Sequence, residues 1–355
     1  ATIVAIKKSL PSEDPAAQFL GALLAEKKYR KELTDLQGYQ IKTLERLRTL
    51  VPVRPDRFAS PRHQYLFGSF DEAGTATTRL SARSPNLQNI KKDGNPFEKD
   101  FEDVTEYMKD LPSLRSIFGP PSGYHWYAMD YSQLQLRIFA VASGEESLQQ
   151  AFLDGWDAHD YMAHRIFRLS DDQKPESNQR RIAKNVNFGF IFGAGEAKID
   201  ATAGRPGLYQ EVLRMFPNAR KFIESTKKLI KQHGYVKTLG GYRLHIPWKT
   251  NRWKPGSFQQ AAHSGVNYIV QGTEGEIVKK GLADCYDLLR QQDDCRVVLQ
   301  VHDENVFQLP IGTDPAIVRE LKTRMENAGL AVGVVTPVDI DLVERNWSVK
   351  QGFPL

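Results

Sequence analysis

The amino-acid sequence predicts an α+β protein that has a small antiparallel sheet and more helix than strand. The first observation is the apolar and aromatic run YHWYAMD at 124–130, which is typical of a strand and ends on a carboxylate. The second is the segment 295–310, in which two apolar runs flank a short polar turn and predict a hairpin. The third is the helical spacing of apolar residues over much of the remaining chain.

The elements before the first apolar strand are predicted to be helical and then irregular. Apolar residues at 16–50 recur at helical spacing among lysines and arginines, and Pro52, Pro55 and Pro61 end that pattern. The polar stretch 69–90, rich in glycine and threonine, is typical of irregular backbone with short strands.

The elements after that strand are mostly helices. A helix follows the strand directly, and the segment 145–250 is interpreted as a mainly helical insertion. The remaining predicted elements are a long helix at 178–193 within that insertion, helices at 267–289 and 315–328, and a final strand at 335–344.

Composition excludes several classes of protein. The 355 residues are 41% hydrophobic and 26% charged, and the two cysteines are too few for a disulfide scaffold or a zinc quartet. No apolar run reaches about 18 residues, so we expect no membrane span and an intracellular protein that is not secreted. The net charge of +5 is compatible with a polyanionic partner such as nucleic acid. Phosphate-loop, dinucleotide-binding, zinc-peptidase and serine-hydrolase motifs do not occur in the sequence.

Carboxylates stand at the end of the apolar strand and in the hairpin turn. Asp130 ends the strand, and Asp303 and Glu304 occupy the turn far along the chain, so only the fold could unite them. Oxygen ligands at the edge of a core suit Mg²⁺, which takes one or two carboxylates together with substrate phosphates. The alternative is that Asp130 caps the next helix and that Asp303 merely forms the turn.

One face of the predicted helix at 178–193 combines two cations with an aromatic ring. Arg180, Lys184 and Phe188 recur at intervals of four residues and therefore share this face. Such a face fits a nucleotide, because cations bind phosphates and a ring stacks on a base or sugar. The alternative is a solvated basic face with one core phenylalanine.

Seven sequence blocks carry the most specific information on function. Three are DYSQLQLRIFA at 130–140, RRIAKNVNFGFIFG at 180–193 and QVHDE at 300–304. In chain order these resemble the three polymerase motifs of the family A DNA polymerases, the family of bacterial DNA polymerase I. Further blocks match TATTRLSARSPNLQNI at 75–90, DAHD at 157–160, TLGGYR at 238–243 and VQGTEGEIVK at 270–279.

The resemblance implies a right-hand polymerase fold with an antiparallel palm sheet, mainly helical fingers and a partial helical thumb. The implied function is template-directed, DNA-dependent DNA synthesis, in which dNTPs are added to a primer 3′-hydroxyl and pyrophosphate is released. The implied divisions are a partial thumb at 1–59, a palm at 60–144 and 257–355, and fingers at 145–256.

The resemblance also implies roles for individual residues at a two-metal site. Asp130, Asp303 and the backbone carbonyl of Tyr131 would hold two Mg²⁺ ions, for which Mn²⁺ substitutes, and Glu304 would support the site. Lys184 would give a proton to the leaving pyrophosphate. The residues implied to contact the nucleotide are Arg180, Lys184, Phe188, His159, Gln133, Gln135 and Phe192, and those implied to contact DNA are Arg79, Asn86, Asn267, Gln271, Gln300 and His302.

The implied partners are primer–template DNA and dNTPs, bound by a monomer that has no membrane association. The implied compartment is the cytoplasm of a bacterial or phage-infected cell, or an organelle. From the resemblance we expect only part of a thumb and no exonuclease domain in these 355 residues, so the chain is either a fragment of a longer protein or a minimal polymerase with a reduced thumb. The first alternative implies missing N-terminal regions or a processivity partner, and either implies low processivity that is sensitive to salt. Two other functions stay open, a single-subunit RNA polymerase and a catalytically silent nucleic-acid-binding module, and so does reverse transcription as a side activity.

Three positions depart from the family pattern. Gln135 stands where the family usually has a glutamate that blocks the ribose 2′-hydroxyl, and Phe192 stands where it usually has the tyrosine that bonds that glutamate. We expect these two positions to act as one coupled unit that keeps ribonucleotide exclusion in weakened form. His263 replaces a usual arginine, so a primer or minor-groove contact is expected to be lost there. Phe188 is the family's commoner residue and implies discrimination against dideoxynucleotides.

Overall fold

The structure is a computed structural model that describes four stretches of the chain. The helices predicted at 16–50, the thumb predicted at 1–59, Phe192 and the side chain of His263 lie outside the described residues. The described stretches are 68–90, 114–191, 194–246 and 257–355, with side chains of the last stretch described from residue 264 onward.

The described residues confirm the predicted α+β class, with short antiparallel strands and more helix than strand. The predicted strand, hairpin, long helix and C-terminal elements are confirmed to within a few residues at their ends. The strands are β1 (Ser69–Asp71), β2 (Ser81–Arg83), β3 (Tyr124–Tyr131), β4 (Tyr235–Lys237), β5 (Arg243–His245), β6 (Arg296–Val301), β7 (Glu304–Pro310), β8 (Val338–Val343) and β9 (Gln351–Gly352). The helices are α1 (Leu134–Ser143), α2 (Glu146–Leu153), α3 (Ala158–Phe167), α4 (Ser177–Ile191), α5 (Glu196–Ala203), α6 (Leu208–Met215), α7 (Pro217–His233), α8 (Ser257–Leu289) and α9 (Pro315–Leu330).

A five-stranded antiparallel sheet, in the order β6-β7-β3-β8-β9, places β3 at its centre. Side chains alternate along β3, so Met129 and Tyr131 join the main core, which includes residues of α1, α8 and α9. Trp126 and Ala128 face a smaller cluster that contains Trp347. Because both faces of β3 are covered, the strand is almost continuously apolar until its carboxylate.

The helix α8 is 33 residues long and contacts α1, α7, α9 and β6. Its glycines permit close approaches, because a Cβ at Gly265 would lie 2.2 Å from Cδ1 of Ile230 in α7. The helix predicted at 267–289 begins ten residues too late, because α8 starts at Ser257.

The helices α2 to α7 confirm the mainly helical insertion within its described residues. The insertion also contains a hairpin of β4 and β5 that the sequence did not predict, in which Tyr235 pairs with His245. Two strands of three residues are too short for a recognisable alternation. Among the described residues, no helix is both long and apolar enough to cross a membrane.

Candidate active site

Strand pairing brings Asp130 and Asp303 together. Asp130 lies opposite Glu304 in the register of β3 with β7, and the Tyr131 N–H donates to the Asp303 carbonyl at 3.3 Å. Burial raises the pKa of Asp130, and the carboxyl group of Asp303 is close enough for its charge to raise that pKa further. His302, which precedes Asp303 in the turn, has a φ of 56° in the left-handed region, a conformation that proteins tend to keep at functional sites.

Negative charge accumulates at this pair of carboxylates. Burial, and then the charges of Asp303 and Glu304, raise the pKa of Asp130, while Lys350 opposes that shift. Burial, and then the charge of Glu274, raise the pKa of Asp303. Oδ1 of Asp130 is buried and has no hydrogen-bond partner among the described residues. An orphaned carboxylate oxygen beside a second carboxylate fits a divalent cation, since Mg²⁺ completes its shell with water and phosphate oxygens.

The ligands that the chain offers are few. Within the described stretches, no group of three or more histidine, cysteine, aspartate or glutamate side chains is arranged to hold a metal ion. The Tyr131 side chain is engaged elsewhere, because its hydroxyl donates to the Met325 carbonyl at 3.0 Å. Its main-chain carbonyl therefore stays the predicted third ligand beside Asp130 and Asp303.

Glu304 is held by two residues that the sequence did not indicate. Trp347 Nε1 donates to Oε1 of Glu304 at 3.3 Å, and Lys350 Nζ forms an ion pair with Oε2. The side chains of Lys350 and Glu304 are only 12% and 11% exposed. Because both carboxylate oxygens are engaged, Glu304 is suited to supporting the site and poorly suited to binding a metal directly.

A second group of functional side chains lies where α3 meets α4. Arg180 places Nη2 3.1 Å from Oδ1 of Asp157 and Nε 2.6 Å from Oδ1 of Asp160. The Lys184 ammonium lies 6.0 Å from the centroid of the Phe188 ring. Arg180 and Lys184 are exposed and Phe188 is half-buried, so the predicted shared face is confirmed.

His159 joins this face from α3. Its ring centroid lies 5.6 Å from that of Phe188, and its Nδ1 lies 3.0 Å from the amide nitrogen of Asn187. Burial lowers the pKa of His159, so the ring is neutral at pH 7. Because the Asn187 amide donates to Nδ1, the proton of the neutral ring lies on Nε2.

The two glutamines at the start of α1 have different partners. Gln133 is the N-cap residue of α1, with a φ of 52°, so Asp130 does not cap that helix. The Gln133 side chain accepts a hydrogen bond at 2.8 Å from the first backbone N–H of α3. Gln135 donates to Glu274, a buried carboxylate on α8 whose role no sequence pattern indicated. Phe192, which is predicted to act together with Gln135, lies outside the described residues.

Two of the predicted DNA contacts are already engaged within the chain. Asn86 accepts a hydrogen bond from the Gln88 N–H at 3.1 Å and caps a short 3₁₀ turn. Gln300 is buried, accepts from Gln88 Nε2 at 2.7 Å and donates to the His302 carbonyl. Their roles in binding DNA stay predictions.

The remaining predicted DNA contacts lie along α8 and the segments beside it. Arg79 forms an ion pair with Glu274. Gln271 accepts a hydrogen bond of 3.5 Å from the Thr77 hydroxyl, and Oδ1 of Asn267 is buried without a partner among the described residues. Asn267 and Gln271 therefore lie on α8, and Arg79 lies on the segment that packs against this helix.

An antiparallel sheet that brings two half-buried aspartates together, next to a helix bearing cations and an aromatic ring, is the arrangement of the hand-shaped polymerase fold class. The chain belongs to DNA polymerase family A, whose family model matches residues 19–349.

Individual relatives agree with this assignment. DNA polymerase I of Chloroflexus aurantiacus is 32% identical over 309 residues, which are 84% of this chain and 30% of that protein. The thermostable DNA polymerase I of Thermus aquaticus is 31% identical over 327 residues, covering 90% of this chain and 36% of that protein. The chain spans about a third of the length of the curated relatives it matches.

A solved structure agrees with the predicted fold. The POL domain of Pol1 from M. smegmatis, in complex with DNA primer-template and dNTP, matches with a TM-score of 0.75 at 22% sequence identity. The match covers 96% of this chain and 55% of that one. The predicted right-hand polymerase fold is thereby confirmed.

Proposed function

We propose that this chain is the polymerase region of a template-directed DNA polymerase, which adds dNTPs to a primer 3′-hydroxyl and releases pyrophosphate. The observation that carries the proposal is the juxtaposition of Asp130 and Asp303, two half-buried carboxylates on neighbouring strands, of which Oδ1 of Asp130 is buried without a hydrogen-bond partner among the described residues. Membership of the family supports it. In this proposal the palm comprises 60–144 and 257–355, the fingers 145–256, and a partial thumb 1–59.

Asp130 and Asp303, with the Tyr131 carbonyl, would hold two Mg²⁺ ions, for which Mn²⁺ substitutes. When bound, such ions lower the pKa of the primer hydroxyl and neutralise charge on the triphosphate and the leaving pyrophosphate. Glu304 keeps the ends of β3 and β7 in place through its bonds to Trp347 and Lys350.

The face shared by α3 and α4 would bind the incoming nucleotide. Arg180 and Lys184 would bind its β- and γ-phosphates, and Arg180 would exchange one of its two aspartate partners for a phosphate. Lys184 would then donate a proton to pyrophosphate. The Nε2–H of His159 would donate to a phosphate oxygen, and Phe188 would pack against the sugar and base.

Residues on α8, on the segment packed against it and in the turn between β6 and β7 would follow the primer–template duplex. Arg79, Asn267, Gln271 and His302 would contact the minor groove, where correct pairs present similar acceptors. Such contacts check the shape of a pair without reading its sequence, so specificity is left to the template. We propose a monomeric enzyme of the cytoplasm or of an organelle.

Primer extension tests the proposal. We expect the wild-type chain to extend a DNA primer on a DNA template with dNTPs and Mg²⁺, and Asp303→Asn to abolish extension while DNA binding persists. The matched control is Asp287→Asn, which changes a half-exposed carboxylate paired with Arg290 on α8. DNA binding without extension by the wild type would indicate a binding module.

Parallel reactions test for RNA polymerase activity and for reverse transcription. Synthesis without a primer and preference for rNTPs would indicate an RNA polymerase and contradict the proposal. An RNA template in place of DNA reports on reverse transcription.

A further inference from the structure

Glu274 is a buried carboxylate that has no role in the proposed two-metal reaction. It lies on α8 with 1% of its surface exposed, where a charged group is costly unless it is paired. It receives two partners from separate parts of the chain, the guanidinium of Arg79 and the side-chain amide of Gln135. Three distant segments thus meet at one carboxylate.

The backbone next to Glu274 allows the segment of Arg79 to approach α8 closely. Gly275 follows it, and a Cβ at that position would lie 3.2 Å from the Thr78 carbonyl oxygen and 3.4 Å from Cα of Arg79. Thr78 itself has a φ of 58°, an uncommon conformation for a β-branched residue. The segment that carries Arg79 therefore packs on α8 at a distance that a larger residue would obstruct.

This cluster adjoins the pair of aspartates. The charge of Glu274 contributes to raising the pKa of Asp303, after the larger effect of burial, and the charge of Arg79 opposes that rise. Gln135 is five residues beyond Asp130 on the helix that follows β3. Its Oε1 is buried and has no partner among the described residues, whereas its amide nitrogen is held by Glu274.

We propose that Glu274 is a positioning residue that fixes the orientation of Gln135 and Arg79 and thereby sets discrimination between deoxyribonucleotides and ribonucleotides. The inference rests on the proposed polymerase function. Because the Gln135 amide nitrogen is bound, its side chain neither flips nor swings aside, and it stays as a fixed obstacle beside the sugar site. Without the carboxylate, the side chain rotates and makes room for a 2′-hydroxyl.

Single-nucleotide incorporation of dATP and ATP opposite a template thymine tests the proposal, with kcat and KM measured for each nucleotide. We expect Glu274→Gln to lower the ratio of kcat/KM for dATP to that for ATP about tenfold, the value of one hydrogen bond to a charged group. We expect this fall to arise mainly from a higher KM for dATP and a higher kcat for ATP. The control Glu211→Gln also removes an arginine ion pair, that with Arg205, and should leave the ratio unchanged.

Double variants make the test independent of stability. Gln135→Ala should lower the same ratio, and adding Glu274→Gln to it should lower the ratio no further, because both act through one side chain. Gln135→Glu alone would set two carboxylates against each other, and the exchange Gln135→Glu with Glu274→Gln should restore the ratio to within about threefold of wild type.

Each outcome decides a separate point. A wild-type chain that fails to extend a primer contradicts the polymerase function itself. An active wild type whose ratio is unchanged in Glu274→Gln, or whose two single effects simply add, overturns the role of Glu274. Thermal melting of each variant confirms that the comparison is made between folded proteins, and if Glu274→Gln does not fold, the exchange variant decides the matter alone.

Discussion

Replacing Lys350 with methionine removes the cation that compensates a buried glutamate. The Lys350 ammonium is paired with Glu304, and its other carboxylate neighbour, Asp341, is 3.7 Å away and 40% exposed. In the variant, the Trp347 N–H is the one donor to the Glu304 carboxylate that remains among the described residues. Methionine approximates the shape of the lysine stem, so the change isolates the loss of charge.

The burial of the Lys350 and Glu304 side chains determines how much Lys350→Met destabilises the protein. Breaking a buried ion pair by removing one partner costs about 3–5 kcal/mol, and the 12% and 11% exposure of these side chains places the cost near 3 kcal/mol. Adding Glu304→Gln removes the remaining charge and keeps an oxygen for the Trp347 N–H. We expect the double variant to recover about 2 kcal/mol of that loss.

Urea unfolding followed by circular dichroism measures these free energies. The matched control is Lys280→Met, which breaks an ion pair with Asp284 on the exposed surface of α8, where the lysine is 52% exposed. Such a pair is worth about 0.3–0.5 kcal/mol. Equal destabilisation by Lys350→Met and Lys280→Met, or no recovery in the double variant, would refute the reasoning.

Three further predictions concern the face of α4 that carries Arg180, Lys184 and Phe188, which is proposed to bind the nucleotide, and the protein core. Arg180→Gln should raise the KM for dNTPs about tenfold with a smaller change in kcat, because a charge-assisted phosphate contact is lost, and unchanged steady-state kinetics would contradict this. Phe188→Tyr should relax discrimination against dideoxynucleotides, measured as the incorporation ratio of ddNTP to dNTP, and equal ratios in the two enzymes would count against it. Gly281→Ala should lower the free energy of unfolding, measured in urea, by about 1–2 kcal/mol, because a Cβ there would lie 2.4 Å from the Tyr131 hydroxyl. The control is Gly352→Ala, whose Cβ meets no neighbouring atom and which should change that free energy by under about 0.5 kcal/mol.

The strands, turns and helix faces that could be predicted are those whose sequence pattern depends on neighbouring residues. The run before Asp130 and the hairpin around Asp303 have apolar residues bounded by polar ones, so strand and turn follow from neighbouring residues alone. The face of α4 follows from a spacing of four residues. The hairpin of β4 and β5 has no comparable signal, because each strand is only three residues long and the hairpin is stabilised by contacts with α7 and α8.

The parts of the site that were not predictable depend on contacts across the fold. Lys350 stands 46 positions from Glu304, and Arg79 stands 195 positions from Glu274, so no spacing rule joins either pair. The left-handed backbone of Gln133 is equally hidden, because residues other than glycine adopt it only where the surrounding structure imposes it. Sequence motifs predicted the reacting groups, and only the structure showed which residues hold Glu304 and Glu274.

The pairing of the acidic residues also shows which of them have a cationic partner among the described residues. Glu304 is neutralised by Lys350, and Glu274 by Arg79. Among the described residues no lysine or arginine forms an ion pair with Asp130 or Asp303, although burial raises the pKa of both. Two of the four carboxylates are therefore satisfied within the chain and act as structural supports. In the proposed function, divalent ions would supply the positive charge that no ion pair among the described residues provides at the other two.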